Sequence, residues 1–231
     1  MVKPENKSIL EIAQGLFPNP HDVTKPVSYY KIYQQYFEPY SGQSLNVLEI
    51  GVFKGESLKV LSRFFPESQV LGIDLDMKSI DFTGFTNIKY EQADQTNPAA
   101  LTQLADRHAP EGFDIIIDDA SHIGAFSLKT FEALFPKLKS KGLYIIEDWG
   151  TGYWKDWPDG GSFEKFQTAP LPDTIVRRLP SHDYGMVGFV KGLVDLVHID
   201  SVRHSWKSQP LYTSTVEFLH FYPGVVILKK L

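Results

Sequence analysis

The sequence predicts an α/β protein with a Rossmann-like, doubly wound and mostly parallel seven-stranded sheet that ends in a C-terminal antiparallel hairpin. Short apolar runs of strand length alternate with helix-periodic segments between residues 46 and 148, as in parallel sheets that carry helices on both faces. A glycine turn joins the first of these runs to the helix that follows it. Two apolar runs joined by Tyr222-Pro223-Gly224 end the chain and predict the hairpin.

Each element has its own signal along the chain. Five aromatic side chains between residues 29 and 40 lie at helical spacings and predict a helix that leads into the sheet. The predicted strands are short apolar runs bounded by turn residues, at 46–50, 69–75, 87–93, 113–120 and 142–148. The predicted helices carry an apolar stripe of helical period, at 55–65, 97–108 and 124–138. The hairpin falls within residues 214–230.

The length and composition limit the possible architectures. The chain has 231 residues, which suits one domain of about 150 residues with additions. We expect a single domain over residues 1–231. In it, residues 1–44 form a helical cover, and residues 149–210 form a lid or acceptor region inserted before the hairpin.

Several classes of protein are excluded. Lys and Arg total 23 against 28 Asp and Glu, a formal net charge of −5, which is unsuited to gripping a phosphate backbone. The chain has no cysteine, so disulfide frameworks and thiolate zinc sites are excluded. It shows neither the apolar run of a signal peptide nor a stretch of about 18 apolar residues. We expect a cytoplasmic protein without nucleic-acid or membrane partners, and a homo-oligomer stays open.

The turn after the first strand combines Glu49, Gly51, Gly55 and Ser57 in an E-x-G-x-x-x-G-x-S pattern. Glycines at such a turn let the backbone approach a ligand, and the helix that follows offers unpaired N–H groups. The spacing differs from the G-x-G-x-x-G pattern of dinucleotide-binding proteins, and no G-x-x-x-x-G-K-[ST] loop is present. The turn therefore predicts a ligand site other than a pyrophosphate cradle.

Carboxylates also follow the next two strands. Asp74 ends the second strand, about twenty residues after the turn, where a carboxylate can accept hydrogen bonds from both hydroxyls of a ribose. Asp94 ends the third strand and is placed to meet an adenine edge. Glu49, at the end of the first strand, suits a cationic amino acid. Any one of these acids could be an ordinary loop residue, but three at successive strand ends indicate a nucleoside-containing ligand.

With these motifs, residues 45–150 resemble the class I S-adenosylmethionine-dependent methyltransferases. The resemblance implies that the cofactor is S-adenosyl-L-methionine, with Asp74 on its ribose and Asp94 near its adenine. The full set of cofactor-binding candidates is Glu49, Gly51, Gly55, Ser57, Asp74, Asp94 and Asp118.

A second polar group follows the fourth and fifth strands. The fourth ends in DDASH (118–122) and the fifth in Glu147-Asp148. Neighbouring parallel strands end at one rim, where open α/β sheets bind ligands. Asp119, Glu147 and Asp148 would supply the oxygen atoms that Mg²⁺ or a similar divalent cation prefers. His122 would lie close enough to take the proton of a metal-held hydroxyl.

This arrangement resembles one subgroup, the Mg²⁺-dependent O-methyltransferases of macrolide sugars, of the mycinamicin and tylosin type. The matching segments are 22–40 and 115–154. The resemblance implies that Asp119, Glu147 and Asp148 hold the metal and that His122 is the catalytic base. We expect an enzyme that methylates a hydroxyl of a vicinal diol, in a sugar of a bacterial secondary metabolite. Its partner would be a small glycosylated acceptor.

Three alternatives stay open at this point. The acceptor could be a catechol or another phenol, although catechol-type enzymes end their strand-five pair in Asn where this chain has Asp148. The chain could bind S-adenosylmethionine without catalysis, or it could be a metal-dependent hydrolase.

Trp149, Trp154 and Trp157 follow the proposed ligands in a glycine-rich segment. They predict a mobile lid or acceptor wall, with packing under the loop or at an interface as the other interpretation.

Overall fold

A computed structural model describes residues 7–19, 22–160 and 185–231 of the chain. Its seven strands form one sheet in the order β3-β2-β1-β4-β5-β7-β6. The strands β1 to β5 pair in parallel, whereas β7 runs antiparallel to both β5 and β6. The predicted fold class is confirmed, including the hairpin that ends the chain.

Where the sequence predicts the bounds of an element, the observed bounds are close to them, whereas two helices between residues 185 and 198 fall within the predicted lid or acceptor region. The strands are β1 (Asn46–Ile50), β2 (Gln69–Asp74), β3 (Ile88–Gln92), β4 (Phe113–Asp118), β5 (Leu138–Glu147), β6 (Val216–Tyr222) and β7 (Val225–Lys230). The helices are α1 (Ile9–Leu16), α2 (Val27–Phe37), α3 (Glu56–Phe64), α4 (Pro98–His108), α5 (Gly124–Leu134), α6 (Gly185–Gly192) and α7 (Val194–His198).

Two bounds differ from the prediction for physical reasons. Helix α5 ends at Leu134, and a 3-10 turn over Phe135–Lys137 follows, because Pro136 cannot continue the hydrogen bonding of an α-helix. Strand β5 begins at Leu138, earlier than predicted, because Leu138 pairs with Phe113 of β4 before a register irregularity, after which Leu143 pairs with Ile115. The polar residues 139–141 interrupt the apolar pattern, so that pattern alone could not show where the strand begins.

Both faces of the sheet are covered, as parallel sheets require. We call the side covered by α1, α2 and α3 the N-terminal face and the side covered by α4, α5 and α6 the opposite face. Side chains alternate along each strand. Val47, Ile117 and Ile145 therefore point to the N-terminal face, whereas Leu48 and Ile116 point to the opposite face.

This alternation decides where the strand-end acids point. Glu49 shares the face of Val47, and Glu147 shares the face of Ile145, so both carboxylates point toward the N-terminal helices. Strand β4 lies between β1 and β5 and reaches the rim at the same level, with Ile50 paired to Asp118. The fold thus brings the carboxyl ends of β1, β4 and β5 together at one rim.

The segment after β5 is only partly described. A 3-10 turn covers Trp149–Tyr153, further turns follow to residue 160, and the chain is described again from α6 onward. Residues 161–184 of the predicted lid or acceptor region lie outside the described residues. Helix α6 packs on the opposite face through the buried side chains of Met186 and Val190. Within the described part of the chain, no helix is long and apolar enough to cross a membrane.

Candidate active site

Two adjoining cavities open at the rim formed by the carboxyl ends of the strands. The first, which we call the wide cleft, has a volume of about 570 Å³ and extends along the ends of β1, β2 and β3. The second, which we call the acidic pocket, has a volume of about 250 Å³ and lies at the ends of β1, β4 and β5. The cavities share four lining residues, Gly51, Phe53, Asp119 and Ala120. The two sites predicted from sequence are therefore neighbours.

The wide cleft is lined by both acids predicted to meet a nucleoside, Asp74 and Asp94. Asp74 Oδ2 accepts hydrogen bonds from the backbone N–H groups of Val52 and Phe53 at 2.9 and 3.0 Å. Burial alone would raise the pKa of Asp74, but these N–H groups and that of Asp76 hold it below its usual value. The carboxylate is ionised and fixed across the turn, with its edge toward the cleft.

Asp94 is held in a similar way at the end of β3. Its Oδ1 accepts from the backbone N–H and the hydroxyl of Thr96, both at 2.7 Å. The backbone hydrogen bond holds the pKa of Asp94 below its usual value. The neighbouring Gln95 also lines the cleft and accepts a hydrogen bond from the N–H of Ser121. The exposed edge of Phe126 supplies an apolar wall.

The two glycines of the turn have different roles. Gly51 adopts φ +90°, and a Cβ there would lie 2.7 Å from Ala120 Cα, so the turn fits against the end of β4 only without a side chain. Gly55 adopts φ +76° and caps the N-terminus of α3. A Cβ on Gly55 would meet Ile80 and Phe82 rather than either cavity. Only Gly51 lines the site.

Besides Gly55, two predicted cofactor residues lie outside the lining of both cavities. Glu49 is fully buried; its Oε2 accepts from Ser57 Oγ at 2.6 Å, and burial raises its pKa. Asp118 shares the opposite face with Ile116 and is also buried, which raises its pKa to about 7. The structure therefore brings Ser57 to the acidic pocket but directs Glu49 beneath it and Asp118 away from it.

The three predicted metal ligands meet in the acidic pocket. Asp119, Glu147 and Asp148 all line it, together with His122. Burial raises the pKa of Asp119 to about 7, opposed by a nearby cation and increased by Glu49 and Asp148. Burial, together with the charge of Asp119, also raises the pKa of Glu147 to about 7. Added positive charge beside these carboxylates would lower their pKa values and favour their ionised forms.

The structure adds a residue that sequence reasoning missed, Lys25. Its ammonium lies 3.4 Å from Glu49 Oε1 and 3.1 Å from Asp119 Oδ2, and it also bonds Glu147 Oε1. Burial would lower the pKa of Lys25, but the surrounding carboxylates hold it well above its usual value. Carboxylates that cluster at one rim favour a cation, but the sequence does not indicate that Lys25 is that cation.

Helix α2 contributes two tyrosines to the same pocket. The hydroxyl of Tyr29 donates to Asp148 Oδ1, and the hydroxyl of Tyr33 donates to Glu147 Oε1. Thr24 is held beside Lys25 by Glu56, the first residue of α3, whose carboxylate accepts from the Thr24 hydroxyl at 2.8 Å. The predicted helical cover thus forms a wall of the acidic pocket, although the tyrosine spacing alone does not distinguish a cover over the ligand from core packing.

His122 stands at the mouth of the acidic pocket. Its Nε2 lies 3.8 Å from Asp119 Oδ1 and 3.7 Å from Asp148 Oδ2. Burial holds the pKa of His122 below its usual value, although Asp148 and Glu147 oppose the effect. The lowered pKa favours the neutral imidazole, which is the form that accepts a proton.

The backbone around this pocket is strained. Among the described residues other than glycine, positive φ angles occur at Phe53 (50°), His122 (52°), Asp148 (51°) and Lys141. The first three all line the acidic pocket. Such conformations cost about 1–3 kcal/mol each and persist where the surroundings hold them. Their concentration here is typical of a functional site.

Tryptophans after β5 supply part of this support. Trp157 Nε1 donates to the carbonyl oxygen of His122 at 2.9 Å, and Thr151 Oγ1 donates to the same oxygen at 3.1 Å. Trp149 Nε1 donates to the carbonyl of Tyr222 at 3.0 Å, whereas the ring of Trp154 is 54 % exposed. In the described part of this segment, two of the three tryptophan rings are thus hydrogen-bonded to backbone carbonyls.

The donor set fits a hard divalent cation. Asp119, His122 and Asp148 place ligand atoms within 4.8 Å of one another, and so do Glu49, Asp119 and Glu147. The oxygen-rich composition suits Mg²⁺. The raised pKa values of Asp119 and Glu147 are those of carboxylates placed to receive further positive charge.

Known proteins were compared with the chain. No protein-family model matches it. It is 35% identical over 211 residues to the 8-demethyl-8-alpha-L-rhamnosyl tetracenomycin-C 2'-O-methyltransferase of Streptomyces olivaceus, covering 88% of this chain and 50% of the relative. It is 32% identical over 206 residues to the mycinamicin VI 2''-O-methyltransferase of Micromonospora griseorubida, covering 86% and 47%. The chain spans about half the length of these curated relatives.

Solved structures give the same result. The MycE methyltransferase from the mycinamycin biosynthetic pathway, in complex with Mg, SAH and mycinamycin VI, has a TM-score of 0.74 and 30% identity, covering 97% of this chain and 53% of that one. The O-methyltransferase TomG from Streptomyces achromogenes, in complex with SAM, has a TM-score of 0.53 at 14% identity, which shows the fold alone. The resemblance predicted from the sequence is confirmed.

Proposed function

Because this chain is a relative of the antibiotic-sugar O-methyltransferases and has the class I methyltransferase fold, we propose that it methylates a sugar hydroxyl with S-adenosyl-L-methionine and Mg²⁺. The acceptor would be a glycosylated bacterial secondary metabolite, and the hydroxyl would belong to a vicinal diol. The observation that carries the proposal is the wall shared by the two cavities, because methyl transfer needs donor and acceptor side by side.

The wide cleft would hold the methyl donor. Its volume suits a nucleoside-sized ligand. Asp74 would accept hydrogen bonds from the ribose hydroxyls, and Asp94 with Gln95 would meet the adenine edge. Gly51 lets the backbone pass close to the ligand where the cleft joins the acidic pocket. Of the remaining candidates, Ser57 and Gly55 would act by shaping the turn, while the buried positions of Glu49 and Asp118 support no direct contact.

The acidic pocket would hold the metal and the acceptor. Asp119, Glu147 and Asp148 would bind Mg²⁺, which when bound lowers the pKa of a chelated hydroxyl. A pocket whose acids would hold the ion beside two neighbouring hydroxyls would account for the proposed vicinal specificity. His122 Nε2 would take the hydroxyl proton as the oxygen forms its bond to the methyl carbon and the carbon–sulfur bond breaks. The lowered pKa of the imidazole supports this role.

Release of S-adenosylhomocysteine from acceptors tests the proposal. The acceptors would be a rhamnosylated tetracenomycin, mycinamicin VI and a catechol, each with Mg²⁺ and with a chelator. We expect turnover on a glycosylated acceptor that the chelator abolishes. Turnover only on the catechol would refute the sugar assignment, and turnover that survives chelation would refute the metal assignment. Binding of S-adenosylhomocysteine without any turnover would leave a cofactor-binding protein instead.

A further inference from the structure

An aromatic side chain stands where the wide cleft meets the acidic pocket. The wall shared by the two cavities consists of Gly51, Phe53, Asp119 and Ala120. Gly51 has no side chain, Ala120 has only a methyl group, and Asp119 is assigned to the metal. Among the described residues, Phe53 is therefore the large side chain that both cavities share, and this residue is 51% exposed.

We propose that the ring of Phe53 recognises the positive charge of the methyl donor through a cation–π contact, so that the chain distinguishes S-adenosylmethionine from S-adenosylhomocysteine at this residue. The assignment rests on the proposed function, because it concerns the site that would hold the donor. Phe53 would determine specificity between the charged and the neutral form of the cofactor, and it would take no part in moving the proton.

The direction of methyl transfer brings the sulfonium group to this ring. The donor sulfur, the methyl carbon and the acceptor oxygen must lie in one line for the displacement. With the donor in the wide cleft and the acceptor in the acidic pocket, that line would cross the boundary between the cavities, where the shared residues lie. A ring that lines both cavities would therefore stand beside the sulfur.

The surroundings of the ring already include cations. The ammonium of Lys78 lies 4.5 Å from the centre of the Phe53 ring, and that of Lys54 lies 5.3 Å from it. Both distances are within the range of a cation–π contact, about 6 Å. Lys78 also lines the wide cleft, so a cation in the cleft can reach the ring. Because Lys78 is exposed, its ammonium can move into solvent when another cation approaches.

The turn that carries Phe53 is held from both sides. Its N–H donates to Asp74 Oδ2 at 3.0 Å, and the N–H of Gly55 donates to the carbonyl oxygen of Val52 at 2.8 Å. Phe53 itself adopts φ 50°, a conformation that is strained for a residue other than glycine. The ring therefore projects from a fixed support, as expected of a side chain kept in place for a ligand.

The charge that Phe53 would recognise is lost in the reaction. The electron pair of the carbon–sulfur bond stays on sulfur, which becomes a neutral thioether. The methyl carbon bonds to the acceptor oxygen, whose proton His122 would take. Since a neutral sulfur has no cation–π attraction to the ring, Phe53 would hold the substrate form of the cofactor more tightly than the product form and would favour their exchange.

Calorimetric titration of the full chain with S-adenosylmethionine and with S-adenosylhomocysteine, both without acceptor, tests the role of Phe53. Phe53→Leu keeps an apolar side chain but removes the ring. We expect it to weaken binding of S-adenosylmethionine about three- to thirtyfold and to leave S-adenosylhomocysteine within about twofold of wild type. Phe53→Tyr keeps the ring and should keep the wild-type ratio of the two dissociation constants.

Phe126→Leu is the matched control, because it removes a ring that lines the wide cleft but not the acidic pocket. It should weaken both ligands equally. An unchanged ratio in Phe53→Leu would overturn the role of Phe53 and leave the proposed function standing. So would a change of the same size in Phe126→Leu. A wild-type chain that binds neither ligand would instead refute the cofactor in the proposed function.

Discussion

The wide cleft and the acidic pocket share a wall but stabilise their carboxylates in opposite ways. In the cleft, backbone N–H groups hold the pKa values of Asp74 and Asp94 below their usual range. In the pocket, burial raises the pKa values of Asp119 and Glu147 to about 7. Backbone donors stabilise a charge that is always present, whereas a buried cluster is fully charged only when a cation is bound. The cleft is therefore preorganised, whereas the carboxylates of the pocket would gain their full charge when the proposed ion binds.

The largest expected effect lies at the pocket, at His122. His122→Ala should leave binding of S-adenosylhomocysteine unchanged, because the imidazole is not part of the wide cleft. It should lower kcat by about 10²–10⁴, the usual contribution of a general base. Calorimetry and product release measure the two quantities separately. His204→Ala, at an exposed site, is the control. An unchanged kcat would remove His122 from the mechanism.

The matching change in the cleft is Asp74→Asn. The amide keeps the size of the side chain but loses the negative charge that accepts from Val52 and Phe53 and that would accept from the ribose hydroxyls. A hydrogen bond from ribose to a charged group is worth about 1.5–3 kcal/mol, so affinity for S-adenosylhomocysteine should fall about 10- to 100-fold. Mn²⁺ affinity should stay within about threefold. Asp81→Asn is the control, since Asp81 makes a similar turn contact with Thr83 at an exposed site. Equal losses of both ligands would show that the two cavities are not separable.

The pH dependence of ligand binding should also differ between the cavities. The pKa values of Asp119 and Glu147 in the metal-free chain are raised to about 7, so below pH 7 these groups hold protons that a metal must displace. For each proton that Mn²⁺ binding releases, the affinity should therefore rise about tenfold per pH unit up to pH 7. Above pH 7 the affinity should level off. Because the pKa values of Asp74 and Asp94 are lowered, affinity for S-adenosylhomocysteine should be flat from pH 6 to 8. Calorimetry at pH 6, 7 and 8 checks both, and a flat Mn²⁺ profile would contradict the pocket's raised pKa values.

The same contrast explains how much the sequence could predict. Asp74 and Asp94 owe their positions to turns of a few residues, so strand ends and spacing were enough to place them at the rim where they line the wide cleft. Glu49 and Asp118 also end strands, but the alternation of side chains sends them to opposite faces of the sheet, below the site. That alternation could have been applied to the sequence.

Lys25 could not be placed by local rules. It lies 94 residues from Asp119 and 122 residues from Glu147 along the chain. Only the packing of α2 on the sheet brings them together. The sequence showed that four clustered carboxylates would need a cation nearby. Which lysine lies among them depends on tertiary structure. The hydrogen bond from Trp157 to the His122 carbonyl likewise depends on tertiary structure, so local rules could not predict it.

The smallest expected effect concerns that hydrogen bond. Trp157→Phe keeps an aromatic ring but removes the Nε1–H that donates to the His122 carbonyl. One hydrogen bond contributes about 1 kcal/mol, so kcat should fall about three- to tenfold if Trp157 holds the imidazole in its strained position. Trp154→Phe is the matched control, because the ring of Trp154 is largely exposed and its loss should leave kcat unchanged. Thr151 still donates to the same carbonyl in both variants, which limits the effect. A lowered thermal midpoint with an unchanged kcat would show that Trp157 stabilises the segment after β5 without positioning the His122 imidazole.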